Sequence, residues 1–311
     1  MENKKLAIAI PTYNRSAILR ENLELMMAEI KQFSIPIYIS DDSTDGKTVL
    51  EVEALKKSYD YIYYYKNEPG LGHDKNCIRS LSLPIATYIW YLGDSIIIEP
   101  GGIKKVLDII ENGQYDFISV NAKNRNLDFS SRIYEDGNTL LTEIGWHLTL
   151  TSATIYSNKI QGFIHQLDLL KCKNFPQTAL IFETFAKQKS KLFWINDRLV
   201  DGNANKKSYW SNAVFDVFLT DWESFITNLP AFYSLENKKE ILKTHNLETG
   251  LFTFMRFLDY RSLGIYSFDF FRKYYKQISY SSTVNVFVLA LISITPKFLL
   301  VFLKKIYYPG R

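Results

Sequence analysis

The sequence predicts an α/β protein: a mostly parallel sheet covered by helices on both faces, followed by a helical C-terminal appendage. Three observations predict it. Over the first 120 residues, short apolar runs rich in Ile, Tyr and Val alternate with segments whose apolar residues fall at helix spacing. The alternation recurs at intervals of roughly thirty residues, the length of a strand plus its helical crossover. Beyond residue 205 the strand-like runs stop and aromatic-rich helical patterns take over.

The strands come first. Leu6 to Ile10, Ile35 to Ser40, Tyr61 to Tyr65, Thr87 to Leu92 and Asp116 to Val120 have strand length and β-prone composition. Between them, Ile18, Leu19, Leu23, Met26, Met27 and Ile30 follow helix spacing, as do Val49, Val52 and Leu55, and then Ile103, Val106, Leu107 and Ile110. Helices over both faces of a parallel sheet leave its carboxyl edge for ligands. Residues 121–205 are less regular: a polar stretch Asn121 to Ser131, a short strand, the segment Gly145-Trp146-His147, a β-rich run Leu148 to Tyr156 and a helix over 177–188. Residues 212–278 read as helices carrying Trp222, Phe225, Phe252, Phe254, Phe257, Phe268, Phe270 and Phe271.

Composition excludes several classes. With 311 residues, 47% apolar, 37 Lys+Arg against 33 Asp+Glu and only 14 Gly and 9 Pro, the chain is neither disordered nor collagen-like. Cys77 and Cys172 stand in no metal-ligand spacing, which argues against a disulfide framework and a structural zinc site and suits a reducing cytoplasm. The apolar run after Met1 is too short for a secretory segment, so no export signal is expected.

The four strand ends carry the chemistry-bearing residues. Strand one runs into Pro11-Thr12-Tyr13-Asn14-Arg15, without the Gly-rich turn of a nicotinamide or flavin site. Strand two ends in Asp41-Asp42-Ser43-Thr44-Asp45-Gly46. One of these would cap the next helix, which leaves Asp41 and Asp42, adjacent carboxylates that need donors such as base N–H or ribose hydroxyl groups. Asn67 and Gly70 to Asn76 follow strand three, and Trp90-Tyr91-Leu92-Gly93-Asp94 ends strand four.

Taken in that order, these residues resemble the family 2 glycosyltransferases of the Rossmann-like GT-A fold. Tyr88-Ile89-Trp90-Tyr91-Leu92-Gly93-Asp94 is most similar to the bacterial O-antigen and capsule branch that includes abequosyltransferase-like proteins. The resemblance covers residues 4–110 well and 111–205 loosely. It implies that Pro11, Thr12, Tyr13, Asn14, Arg15, Asp41 and Asp42 line a nucleotide pocket. It also implies that Asp74, Lys75 and Asn76 stand beside a pyrophosphate, with Lys75 neutralising charge. Asp94 would be the first acid of a DxD-type motif and the ligand of Mn²⁺ or Mg²⁺, which would stabilise the departing diphosphate. UDP is the donor nucleotide the family uses most.

Two departures from the family pattern stand out. Ser95 takes the place of the second acid, so carboxylate ligation rests on Asp94, with Lys75, Arg15 or Arg79 as alternative sources of positive charge. Gln177 and Thr178 stand where the family's acceptor helix carries Glu-Asp, so the base must come from elsewhere. The candidates are Glu183, Asp168 and His147, the last with a reference pKa near ~6.5. Trp146 is expected to stack on a sugar face.

The C-terminal region predicts a membrane surface. Residues 270–311 hold seven basic side chains and no acid, flanking the apolar run Val284 to Leu303. Pro296 and Lys297 cut that run into pieces too short to span, so an interfacial helix or hairpin is expected, with Tyr280, Lys304, Lys305, Tyr307 and Tyr308 at head-group level. Basic residues flanking apolar ones suit anionic lipid rather than nucleic acid.

The expected organisation is a GT-A domain over 1–205, its nucleotide half 1–120 and acceptor half 121–205, then a helical region 206–280 and a membrane-surface tail 281–311. The expected function is transfer of a sugar from a nucleotide-diphosphate sugar to a lipid-linked or cell-surface polysaccharide acceptor at the inner membrane face. The alternative is a non-catalytic nucleotide-sugar-binding partner subunit, motivated by Ser95 and Gln177. A sugar-phosphate nucleotidyltransferase would need a Gly-rich basic loop after strand one, and Pro11 to Arg15 is not one.

Overall fold

The computed structural model describes residues 1–123, 125, 127–203 and 213–300. They fall into two compact units, the first within Met1–Lys207 plus Asn228–Tyr233 and the second within Ser208–Thr227 plus Ser234–Arg311.

The first unit alternates strand and helix as the periodicity predicts. It runs β1 (Leu6–Thr12), α1 (Ser16–Gln32), β2 (Ile37–Asp41), α2 (Lys47–Lys56), β3 (Ile62–Lys66), α3 (His73–Ser82), β4 (Tyr88–Tyr91), β5 (Ile96–Ile98) and α4 (Gly102–Asn112). The chain continues through β6 (Phe117–Ala122), β7 (Arg132–Tyr134), α5 (Gly137–Ile144), β8 (Thr154–Ser157), α6 (Gln161–Ile164), α7 (Pro176–Lys187) and β9 (Leu192–Gly202). Residues 73–76 form the first turn of α3, and the run expected to be β-rich over 148–156 begins as a 3₁₀ turn at His147–Thr149 before β8.

The sheet order is β3-β2-β1-β4-β8-β6-β9-β5, with β7 on β9. Pairing is parallel from β3 through β4 and again between β6 and β9, while β8 runs antiparallel between β4 and β6. Side-chain alternation builds the layers. On one face Leu6, Ile8 and Ile10 pack with Leu23 and Ile30 of α1, Val52 of α2 and Ile103 and Val106 of α4. On the other, Ala7 and Tyr38 pack with Ala86 and Tyr63. Each fully buried Leu or Ile contributes about 1.5–3 kcal/mol of transfer free energy, which holds the strand ends at fixed positions.

The second unit is helical: a π-type turn Asp216–Asp221, α8 (Trp222–Asn228), α9 (Leu235–Thr249), α10 (Phe254–Leu263), α11 (Phe268–Ser281) and α12 (Val286–Ile294). The side chains of Ser234, Thr253, Ser267 and Asn285 cap α9 to α12 by accepting from backbone N–H groups in the first turn. Phe215 is the centre of its core, with ring contacts to Phe252, Phe257, Tyr260, Tyr266 and Tyr274.

Among the described residues no helix is long and apolar enough to cross a membrane. Helix α12 has nine residues, about 14 Å at helical rise. It buries Leu289 and Ile292 and exposes Phe287 (81%), Leu291 (62%) and Ile294 (58%). Lys304, Lys305, Tyr307 and Tyr308, expected at a membrane surface, lie outside the described residues.

Candidate active site

Because β3, β2, β1 and β4 are parallel, their carboxyl ends form one edge. Thr12 of β1 stands in register with Asp41 of β2, and Asp41 with Lys66 of β3. β4 is the other neighbour of β1, and two residues beyond Leu92 the chain reaches Asp94. Asp41 and Asp94 therefore flank Thr12 at one edge.

Asp94 is 7% exposed and fully engaged. Its Oδ1 accepts from Arg15 Nη1 at 3.1 Å, its Oδ2 from the Thr12 hydroxyl at 3.0 Å, and its carbonyl from Asn22 Nδ2 at 2.9 Å. Burial raises its pKa above the usual carboxylate range, against the pull of the Arg15 charge and the Arg15, Thr12 and Tyr13 N–H and O–H donors. Asp41, 1% exposed, accepts from Ser43 N at 2.8 Å and from the Tyr64 hydroxyl at 2.7 Å, with Lys66 Nζ 3.5 Å from its Oδ2. Burial, then the Asp41 carboxylate, pushes the Tyr64 phenol up, so Tyr64 remains a donor. Lys66 also donates to the Ser43 carbonyl. The sequence reading missed Tyr64 and Lys66; the period-2 register of β3 beside β2 is the signal that would have found them.

Asp42, expected beside the nucleotide, has partners within the chain. Its carboxylate accepts from Asn67 Nδ2 at 2.7 Å and from the backbone N–H groups of Leu71 and Gly72, at 3.0 and 2.6 Å to Oδ2. The chain's own 67–72 loop thus supplies the donors that an adjacent acid needs. A Cβ at Gly70 would sit 3.7–3.9 Å from the Asp42 backbone carbonyl and side chain, and Gly72 takes φ 78°, which suits a residue without a Cβ. Asn76 belongs to the same brace: it accepts from Asn67 and donates to the Ser40 carbonyl.

The first-strand loop is braced as well. Asn14, at φ 52°, donates its N–H to Ser43 Oγ and accepts from Thr44 N, tying the Pro11–Arg15 loop to the Asp42–Thr44 loop. Thr12 is buried and Pro11 half-buried, whereas the Tyr13 ring stands open to solvent at 58%. At the start of α3, Asp74 accepts from His73 Nδ1 at 2.7 Å and from Asn174 N at 3.1 Å, so it joins α3 to the residues before α7. Lys75 and Arg79 are exposed on α3.

The structure separates the base candidates. His147 is fully buried, its Nε2 is 2.8 Å from the Val120 carbonyl, and it lies edge-on between Trp146 and Trp194. Burial, reinforced by the Arg125 charge, drives its pKa down to about 3. That corrects the expectation: a sequestered, weakly basic imidazole is not placed to take an acceptor proton. Trp146 is buried too, under Arg125, and is a core residue rather than an exposed stacking platform. Arg125, unforeseen from sequence, donates Nη1 to the carbonyls of Trp146 and His147 and to Thr149 Oγ1.

The start of α7 carries no acid. Pro176 opens the helix, Gln177 is buried, and the buried Thr178 donates to the Leu148 carbonyl. Glu183 lies two turns along, half-buried, 3.4 Å from Lys187. Asp168 is an exposed turn residue that accepts from Leu170 N and pairs with Lys171 at 3.6 Å.

The donor set does not fit a divalent ion held by protein carboxylates. Both Asp94 oxygens already have partners and Ser95 offers only a hydroxyl. Among the described residues no group of three or more His, Cys, Asp or Glu side chains could hold a metal ion.

Comparison with known proteins places this geometry. The structure is similar to TarS (residues 1–349) from S. aureus in complex with UDP-GlcNAc, at TM-score 0.60 and 13% identity over 99% of this chain and 92% of that one. It is also similar to the mannosyltransferase PcManGT of Pyrobaculum calidifontis in complex with GDP-Man and Mn²⁺, at TM-score 0.58 and 9% identity over 100% and 89%. These likenesses establish the GT-A fold. In sequence, 90 residues are 33% identical to the abequosyltransferase RfbV of Salmonella typhimurium strain LT2, a match spanning 28% of this chain and 27% of that relative. The family model Glycosyl transferase family 2 matches residues 7–168, and the chain belongs to that family.

Proposed function

We propose that this protein moves one sugar from a nucleoside-diphosphate sugar to a hydroxyl of a lipid-linked or cell-surface glycan, at the inner face of a membrane. The observation that carries the reading is the placement of Asp41 and Asp94 on either side of Thr12 at one sheet edge. Membership of the family supports the reaction, and the UDP complexes of TarS support UDP as the nucleotide.

In this reading Tyr13 offers its open ring to the base, and Asp41 and Lys66 bound the base and ribose end. The braces made by Asn14, Asp42, Asn67 and Asn76 hold the loops in place before the donor arrives, which lowers the ordering cost of binding. Transfer breaks the bond from the anomeric carbon to the phosphate oxygen, and the electron pair leaves with the nucleoside diphosphate. The acceptor oxygen forms the new bond, and its proton passes to a base. Glu183 and Asp168 are the two proposed bases with carboxylates that reach solvent. The Mn²⁺ or Mg²⁺ expected from the resemblance would find Asp94 as its one acidic ligand here, and no step above depends on it.

The membrane part rests on α12, whose Phe287, Leu291 and Ile294 share an exposed apolar stripe, and on Phe298 past the end of the helix, which is exposed as well. A truncation before this helix would also strip Leu289 and Ile292 from the core, so point variants are the cleaner probe. The second reading, a nucleotide-sugar-binding subunit without turnover, is favoured by Ser95 and the buried Gln177.

The test is a thermal-shift screen of UDP, GDP, CDP and dTDP on the full chain. A nucleotide at 100 times its Kd stabilises the native state by about 2.7 kcal/mol. At least one should raise the melting temperature, and Asp41→Ala should abolish the rise. No shift with any of them refutes the donor reading, and binding without turnover of any donor sugar supports the second one.

A further inference from the structure

The diphosphate of a sugar donor needs positive charge beside it, and the question at this edge is which group supplies it. A hard divalent ion takes oxygen ligands and is best served by carboxylates with free lone pairs. The acid at this position is followed by Ser95 rather than by a second acid, and each of its oxygens already accepts from a side chain: Arg15 holds Oδ1 at 3.1 Å and Thr12 holds Oδ2 at 3.0 Å. An ion seated on Asp94 would stand next to a guanidinium that is always charged, so it would have to displace Arg15.

Arg15 is itself well placed. It is the residue before the first turn of α1, a 17-residue helix whose first N–H groups point toward the same edge as the ends of β1 and β4. Asp94 is 7% exposed and anchored through its own carbonyl by Asn22, so it is a rigid holder for the guanidinium. The Arg15 side chain is 24% exposed, which leaves part of it toward solvent at the edge. A guanidinium presents a planar fork of donors matched to phosphate oxygens.

We propose that Arg15, positioned by Asp94, is the cation that binds the donor's diphosphate, so that nucleoside diphosphate binding and release need no divalent metal. The inference rests on the donor reading above. Asp94 is then a positioning residue for Arg15 rather than a metal ligand, and the serine after it is accounted for, because a second acid would only compete for the same guanidinium. When the anomeric bond breaks, Arg15 stabilises the negative charge that develops on the departing diphosphate.

Two measurements test this on the full chain. In the first, calorimetry follows the binding nucleotide of the UDP, GDP, CDP and dTDP panel, in EDTA and in Mn²⁺. The wild type should give the same Kd within about threefold in both, while Arg15→Ala should weaken binding in EDTA by roughly tenfold or more, the scale of a lost charge-assisted contact. Arg15→Lys, which keeps the charge and loses the fork, should fall between them and guards against misfolding of the alanine variant. In the second, electron paramagnetic resonance follows Mn²⁺ alone. The wild type should leave it free in solution, and Mn²⁺ held by the wild type overturns the inference.

A wild type that binds nucleotide only with Mn²⁺ overturns this inference and leaves the donor reading intact, as does an Arg15→Ala variant that binds in EDTA as tightly as wild type. A wild type that binds no nucleotide in either buffer removes both.

Discussion

Replacing Asp42 tests whether this acid is a brace or a ligand group. Its carboxylate takes three donors from the 67–72 loop, one of them the side chain of buried Asn67. Hydrogen bonds to a charged acceptor contribute about 1.5–3 kcal/mol each, and a buried donor left without a partner adds its own desolvation cost. The Leu71 and Gly72 N–H groups are only partly buried and can turn to water, so the full sum does not apply. A loss of about 3 kcal/mol is expected for Asp42→Ala, in the upper range for single substitutions. For a unit of this size that corresponds to a fall in melting temperature of roughly 6–12 °C. Differential scanning calorimetry without nucleotide reads it, and limited proteolysis should show faster cleavage at residues 67–72. If the variant melts within about 1 °C of wild type, well under the shift expected from even one lost charged hydrogen bond, and instead loses only nucleotide affinity, the brace argument is refuted and Asp42 belongs to the ligand.

Other consequences follow from named contacts. His147 has a folded pKa near 3 against about 6.5 unfolded, so the unfolded chain binds the extra proton first; stability is complete above about pH 6.5 and is lost as pH falls toward 3, by about 1.4 kcal/mol per unit. At pH 5 this amounts to roughly 2 kcal/mol, and His147→Gln should flatten the urea-denaturation profile between pH 7 and 5; an unchanged slope would locate the acid sensitivity elsewhere. Gly137→Ala places a Cβ 2.9 Å from the Phe232 ring and 3.1 Å from Phe185 and the Tyr233 hydroxyl, so a loss of about 1–3 kcal/mol is expected by thermal melting, and a neutral result would show that the rings can yield. Leu291→Glu sets a charge on the exposed stripe of α12 and should reduce co-flotation with phosphatidylglycerol vesicles while leaving the melting temperature unchanged; equal flotation of variant and wild type argues against a lipid-facing α12.

Much of the fold could be read without coordinates, and the failures have physical causes. Strands β1 to β4 carry apolar runs of strand length and helices α1, α2 and α4 carry helix-period apolar patterns, and the observed elements lie where those patterns do. Helix α3 was hidden because its buried face is small and polar, with Asn76, Cys77 and Ser80 beside Leu81, and because Gly70 and Gly72 precede it. Strand β9 was hidden by Asn196, Asp197 and Arg198 in its middle, where its pairing with β6 shifts register. Nothing local marks β8 as the antiparallel insertion between β4 and β6, since direction in a sheet is a property of the partners.

The candidate site divides along the same line. By itself the sequence determined that acids, Asn and small residues gather at the ends of successive strands, and parallel topology carries them to one edge. Only the tertiary structure decided what each acid does there. Asp41 meets Tyr64, Asp42 meets Asn67, and Asp94 meets Thr12 and Arg15, partners 23, 25, 82 and 79 residues away. The same holds for His147, whose chemistry was set by the Trp194 and Val120 packed around it rather than by being a histidine. Periodicity is written by the spacing of neighbours along the chain. The charge state and availability of a side chain depend on the donors and the burial that distant segments bring to it.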